Sequence, residues 1–150
     1  MAAANDHAVD VLNGLIETTL DSADGYRKAA ETADNPTFKT MFETRARKRT
    51  QLVGELKTEV RTFGGEPKDD GSMLAATHRA FLGLKDKVTG SNDKSVIDEV
   101  ERGEDFIKQR FEKAISDQDL TPAARSAIER CYAAVKADHD EMSALKHRMQ

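Results

Sequence analysis

Arg45, Arg49, Glu104 and His139 are charged or ionisable, and each falls on the apolar face of a predicted helix. Polar groups in a helical core form either a closed ion-pair network or a site. In the network reading, the planar guanidinium forks of Arg45 and Arg49 reach across the core to Glu104 and Glu101, and His139 completes the hydrogen bonds. In the site reading, Glu101, Glu104 and His139 ligate iron, manganese or zinc, with Glu43 or His78 as further candidates. A third chemistry uses Arg45 and Arg49 to hold an anionic small ligand, a carboxylate or a phosphate, inside the bundle.

Spacing and charge weigh against the metal. Carboxylate-bridged di-iron centres in four-helix bundles want a Glu from two helices and a Glu-x-x-His pair from each of the other two. No Glu-x-x-His occurs here; the nearest approximations are Glu101-x-x-Glu104, Glu43 followed three residues on by Ala46, and Asp138 directly beside His139. Two guanidinium groups in the same layer also repel a divalent cation. No Ser-His-Asp or Cys-His arrangement can be built from these positions, so no catalytic residue is assigned and an enzyme is not expected.

The elements that would position these residues are helices. Asp34-Asn35-Pro36, Gly64-Gly65-Glu66-Pro67, Thr89-Gly90-Ser91-Asn92 and Thr121-Pro122 are the strong breaks. They predict helices near 5–34, 36–63, 72–89, 93–118 and 122–148, capped by Asn5 or Asp6, Asn35, Ser72, Asn92 and Thr121. Period-2 alternation is absent, so no sheet is expected. Four long helices with a short one between the second and third make an all-α bundle of two hairpins joined by a long crossover, one domain over 1–150. On the inner stripes, Arg45 and Arg49 lie within 36–63 and Glu104 lies centrally in 93–118 with Glu101 on its flank. Asp138 and His139 stand at the two edges of the stripe on 122–148. The first helix presents Leu12, Leu15, Thr19 and Tyr26 inward and offers the core no carboxylate. Its second apolar line, Val9, Ile16 and Leu20, must be covered by the 72–89 helix or by a second subunit.

Composition narrows the partners. The 150 residues carry a net charge of -4 from interspersed signs, which leaves no basic footprint for nucleic acid and no polybasic membrane patch. No stretch approaches the roughly 20 apolar residues of a membrane span, and the start lacks the features of a secretory signal. With the single Cys131, which reads as a small inward hydrophobe, this predicts a soluble cytoplasmic protein.

The runs Leu12-Asn13-Gly14-Leu15-Ile16-Glu17-Thr18, Asp24-Gly25-Tyr26-Arg27, Phe63-Gly64-Gly65-Glu66-Pro67, His78-Arg79, Glu99-Val100-Glu101-Arg102-Gly103-Glu104-Asp105 and Lys136-Ala137-Asp138-His139-Asp140 are distinctive in their order. The chain carrying them resembles a bacterial family titled domain of unknown function 2383, a four-helix bundle of the ferritin-like superfamily. That resemblance implies the fold and a connection to stress physiology, with no established activity. Phe81, Val100 and Cys131 depart from the family's expected Trp, Cys and Gln. Iron chemistry does not transfer, since Glu43-x-x-x-Arg47 stands where the superfamily's ligand pair would be. The expectation is therefore a non-enzymatic interaction or stress-associated module, self-associating through Val9, Ile16 and Leu20. A metalloprotein using Glu101, Glu104 and His139 is the alternative, and an anion carrier using Arg45 and Arg49 the third.

Overall fold

The computed structural model describes residues 2–69 and 93–148. Four helices run through them: α1, Ala2–Thr32; α2, Pro36–Thr62; α3, Asp93–Ile115; and α4, Pro122–Arg148. No strand occurs among the described residues. The expected bounds hold to within a few residues. The largest differences are at the start of α1, where the good helix formers Ala2, Ala3 and Ala4 carry it past the expected cap at Asn5 or Asp6, and at the end of α3, which stops at Ile115 and not at 118. The expected helix 72–89, with Ser72 and His78, and the cap at Asn92 lie outside the described residues.

The punctuation acts by ordinary capping chemistry. Asn35 is extended at φ -74 and ψ 121, and its side chain accepts from Thr37 N, while Pro36 fills a first-turn position where no N–H is needed. Thr121 Oγ1 accepts from Ala124 N at 3.2 Å at the start of α4. After α2, Gly64 adopts φ +83; its N–H bonds Arg61 O at 2.9 Å, and Gly65 N–H bonds Val60 O at 3.0 Å. This pair of bonds is a Schellman stop, which favours the residue with no Cβ.

α1 and α2 form one antiparallel hairpin and α3 and α4 the other. Both ends are tied by polar contacts. At the end where α1 begins and α2 finishes, Asn13 donates to Glu66 O at 3.1 Å and accepts from Lys68 N at 2.9 Å, and Lys68 pairs with Glu17. His7 meets Asp117 at 2.8 Å there, between α1 and the turn after α3. At the opposite end, buried Asp93 accepts from Asp34 N at 2.7 Å and from Asn35 N at 3.2 Å. α2 thus leaves the bundle at one end and α3 enters at the other, the long-crossover connectivity.

The core has two apolar clusters stacked along the bundle. One gathers Leu12, Ile16, Leu56, Val60, Ile107, Phe111, Ile128 and Val135; the other gathers Tyr26, Ala30, Phe42, Val96, Ile97 and Met142. Between them, at the level of Tyr26, Arg49, Glu104 and Asp138, the packing turns polar.

The line Val9, Ile16 and Leu20 is not a free face. Ile16 is fully buried, and Val9 and Leu20 pack against the first cluster. Gly65 lies directly on Val9, so that a Cβ there would sit 2.5 Å from Val9 Cγ1. Because a β-branched side chain has little rotamer freedom, Gly65→Ala will cost about 1–3 kcal/mol of stability. Val9→Ala in the same chain will return most of it. Urea unfolding of the two variants checks this, and a loss that persists in the double variant would show that the contact is not its cause.

Candidate functional site

The polar layer draws on all four helices. Arg49 and Glu104 are each 1% exposed, with Arg45 and Asp138 at 4%. Arg49 Nη2 lies 2.9 Å from Glu104 Oε1 and donates to Glu104 Oε2 at 3.0 Å. The same nitrogen reaches Asp138 Oδ2 at 3.3 Å, while Nη1 donates to Ser22 Oγ at 2.8 Å. Arg45 lies beside it, with Nη2 donating to Glu141 at 2.9 Å and Nε 3.5 Å from Asp138 Oδ1. Tyr26 joins the two halves: its hydroxyl donates to Glu104 Oε1 at 2.6 Å and accepts from Arg45 Nη1 at 3.3 Å. Both guanidinium carbons stand 5.6 Å from the Tyr26 ring centroid, in cation–π range. Lys48 supplies Asp138 with a further partner at 3.3 Å from the rim.

Two buried cations thus face two buried anions. Burial works against both arginine charges, but the carboxylates and the Tyr26 oxygen outweigh it and hold each guanidinium more firmly protonated than usual. Burial, then the Glu104 carboxylate, pushes the Tyr26 phenol well above its ordinary range, so Tyr26 remains a donor. Among the described residues no buried side-chain nitrogen or oxygen lacks a partner.

The structure brings Arg45, Arg49 and Glu104 into this layer and leaves the other expected members outside. His139 is turned away from Glu104: Nε2 meets Asp105 Oδ1 at 2.6 Å and Nδ1 faces Asp140 Oδ1 at 3.3 Å. Glu101 sits on the same flank and accepts from Lys146 at 3.3 Å. Glu43 is exposed on the outer face of α2. The structure does not bring the expected trio Glu101, Glu104 and His139 together: Glu104 lies in the layer, while Glu101 and His139 group with Asp105, the potential ligand atoms of those three lying within 4.8 Å of one another. The reason is geometric, since Asp138 is the residue of α4 that faces α2 and His139, 100° further round, faces α3. Arg45 likewise pairs with α4 rather than with Glu101. Tyr26 and Asp138 are the buried members that the sequence reading left unassigned. Both stood on or beside an inner stripe, and a buried hydroxyl or carboxylate near two arginines is the signal that marks them.

Cys131 lies inside the first cluster at 6% exposure, and burial, then Glu55 and Glu59, pushes its thiol up to about 11. Its thiolate is negligible at neutral pH, so iodoacetamide at pH 8 will leave it unmodified in the folded protein and alkylate it readily in denaturant. Alkylation at the rate of an exposed cysteine in the folded protein would contradict that burial.

These features define a four-helix bundle of two hairpins with an ion-pair layer across its centre. The chain belongs to the family described as Domain of unknown function (DUF2383), whose sequence model matches residues 7–117. Its fold is ferritin-like. A mutant of Dps1 from Mycobacterium smegmatis superposes with a TM-score of 0.76 at 13% identity, covering 96% of this chain and 97% of that one. A two-domain protein from Anabaena variabilis, containing DJ-1/ThiJ/PfpI-like and ferritin-like domains, superposes with a TM-score of 0.74 at 16% identity. This chain is covered over 97% of its length and spans 40% of that larger protein. No curated protein matches it. No described helix is long and apolar enough to cross a membrane.

Proposed function

We propose that the protein is a non-enzymatic helical-bundle module, of the interaction or stress-associated kind, in which the central polar layer holds four helices in register and does no chemistry. The observation that supports this reading is the closure of the layer: each buried side-chain nitrogen and oxygen among the described residues is already matched by protein. A reaction centre or a resident cation needs unsatisfied lone pairs, and here the Glu104 oxygens are taken by Arg49 and Tyr26. Of the line Val9, Ile16 and Leu20, Ile16 is buried and Val9 and Leu20 are half-buried against the core, which leaves it little apolar surface for association.

An anion carrier finds less support. Arg45 and Arg49 are neutralised in place, and the cleft of about 240 Å³ between α1 and α3 meets the layer at Glu104 and Tyr26. A carboxylate on that wall repels an anion. A metal-binding reading, with iron, manganese or zinc, is favoured by the ferritin-like fold only as analogy. Among the described residues two carboxylate–imidazole groups have the spacing for a metal, His7 with Asp117 and Asp119, and Glu101 with Asp105 and His139, and neither is in the core layer.

The test is thermal unfolding of wild-type and Glu104→Ala protein before and after removal of metals with chelator, combined with elemental mass spectrometry and sedimentation across a wide concentration range. The proposal expects Glu104→Ala to lower the transition by the same amount before and after chelation, and association to appear with concentration. Stoichiometric metal that is lost in Glu104→Ala, and whose removal destabilises the wild type as much as that substitution does, would overturn it.

A further inference from the structure

Two groups of ionisable side chains lie outside the core layer among the described residues, His7 with Asp117 and Asp119, and Glu101 with Asp105 and His139, and the second has a carboxylate behind its imidazole. Glu101 and Asp105 are four residues apart on α3, the spacing that stacks two side chains on one helix face. Across the seam, α4 brings the His139 ring against them, with Nε2 2.6 Å from Asp105 Oδ1. One oxygen from each carboxylate and a ring nitrogen lie within 4.8 Å of one another, a spread that a single ion bonding at about 2.0–2.2 Å can gather with small side-chain rotations. Behind the ring, Asp140 Oδ1 stands 3.3 Å from Nδ1. A carboxylate on the far nitrogen is the usual outer partner of a metal-ligating histidine: it keeps the proton on Nδ1 and turns the Nε2 lone pair to the ion.

We infer that Glu101, Asp105 and His139 form a divalent transition-metal site at the seam between α3 and α4. One imidazole and two carboxylates, with no thiolate, suit zinc, manganese or ferrous ions, and three protein ligands leave the remaining positions to water. Access and anchoring are divided between the ligands. The His139 and Glu101 side chains are each 15% exposed, whereas Asp105 is 46% exposed and open to solvent. The proton between Nε2 and Asp105 leaves to water when the metal takes its place. Glu101, Asp105 and Asp140 bring three carboxylates to the ring, against Lys146 and Lys136 paired with them and Lys108 near His139. The site is separate from the core layer, since Glu104, on the neighbouring face of α3 about 60° round from Glu101, is taken up by Arg49 and Tyr26.

Two measurements on the full chain, free of any histidine tag, test this. Manganous ion added in small steps will broaden the His139 ring C–H signals in the proton NMR spectrum ahead of those of His7, His78 and His147. Zinc titrated calorimetrically will bind one ion per chain. His139→Ala and Asp105→Asn will each weaken that binding by at least about 10-fold, and Asp140→Asn by about 10–100-fold through the lost orientation of the ring. His7→Ala, which removes the other carboxylate–imidazole contact with Asp117, will leave the affinity unchanged. Circular dichroism confirms that each variant is folded. The inference is overturned if the wild type binds no zinc, if His7 broadens first, or if His139→Ala binds as tightly as wild type. Zinc binding lost on Glu104→Gln but retained in Asp105→Asn would overturn it too, by placing the ion in the core.

Discussion

Replacing Glu104 by alanine will lower the unfolding free energy by about 3–5 kcal/mol, because it leaves Arg49 as a buried guanidinium without its main counter-charge. For a chain of this size that is a fall in melting temperature of about 6–20 °C. Arg49 cannot escape by losing its proton, since the remaining Asp138 and the Tyr26 oxygen still favour the charged form. Nor can it turn to water, being 1% exposed and packed over the Tyr26 ring. The Tyr26 hydroxyl loses its acceptor in the same step. The diagnostic comparison is the double variant Arg49→Met with Glu104→Leu, which removes the charges together. It will recover most of the loss, since a matched apolar pair is as good for stability as a buried ion pair. Thermal melts of the three proteins check this. A mild loss in Glu104→Ala, or a double variant as damaged as the single, would mean that the pair does not hold the layer.

Phe42→Ala and Phe111→Ala will each cost about 3–5 kcal/mol, as both rings are fully buried and the space they leave is lined by fixed helices. Their relation to Glu104 will differ. Phe42 packs on the Tyr26 ring with centroids 6.1 Å apart, and Tyr26 hydrogen-bonds Glu104, so a shift in Phe42 propagates into the polar layer. Phe111 stacks on Tyr132 at 6.4 Å in the other cluster, two turns along α3 from Glu104. The double-mutant cycle of Phe42→Ala with Glu104→Ala will therefore show a coupling of about 0.5–3 kcal/mol, and that of Phe111→Ala will be additive within about 0.5 kcal/mol. Denaturant unfolding of the single and double variants measures both. Equal coupling in the two cycles would mean that the clusters are not separated by the polar layer.

Most of the fold was legible from local rules. Asn35-Pro36, Gly64-Gly65 and Thr121-Pro122 act through their own backbone and side-chain atoms, so their effect needs no distant partner. The apolar stripes also resolved themselves, because Leu56, Ile107 and Val135 can only be buried. The candidate site was harder to read. Arg45, Arg49 and Glu104 stood out as charges on inner faces, but a helical wheel gives the direction of a side chain and not the height or identity of the helix it faces. Arg45 could reach α3 or α4 equally well on that information. Tyr26 read as one more apolar position because its hydroxyl becomes chemistry only when a carboxylate is 2.6 Å away.

Asp138 and His139 divide the two kinds of information most clearly. The sequence alone determined that α4 carries two ionisable residues on opposite edges of one stripe, that two arginines lie four apart on α2, and that no Glu-x-x-His pair exists for an iron centre. Only the tertiary structure decided which edge faces which neighbour. It turned Asp138 toward Arg45 and Arg49 to complete a buried, charge-balanced layer, and turned His139 outward to Asp105 and Glu101. The physical reason is that stripe geometry depends on the local 100° step between residues, whereas the match of a buried charge depends on the approach of a separate helix, which no local pattern encodes.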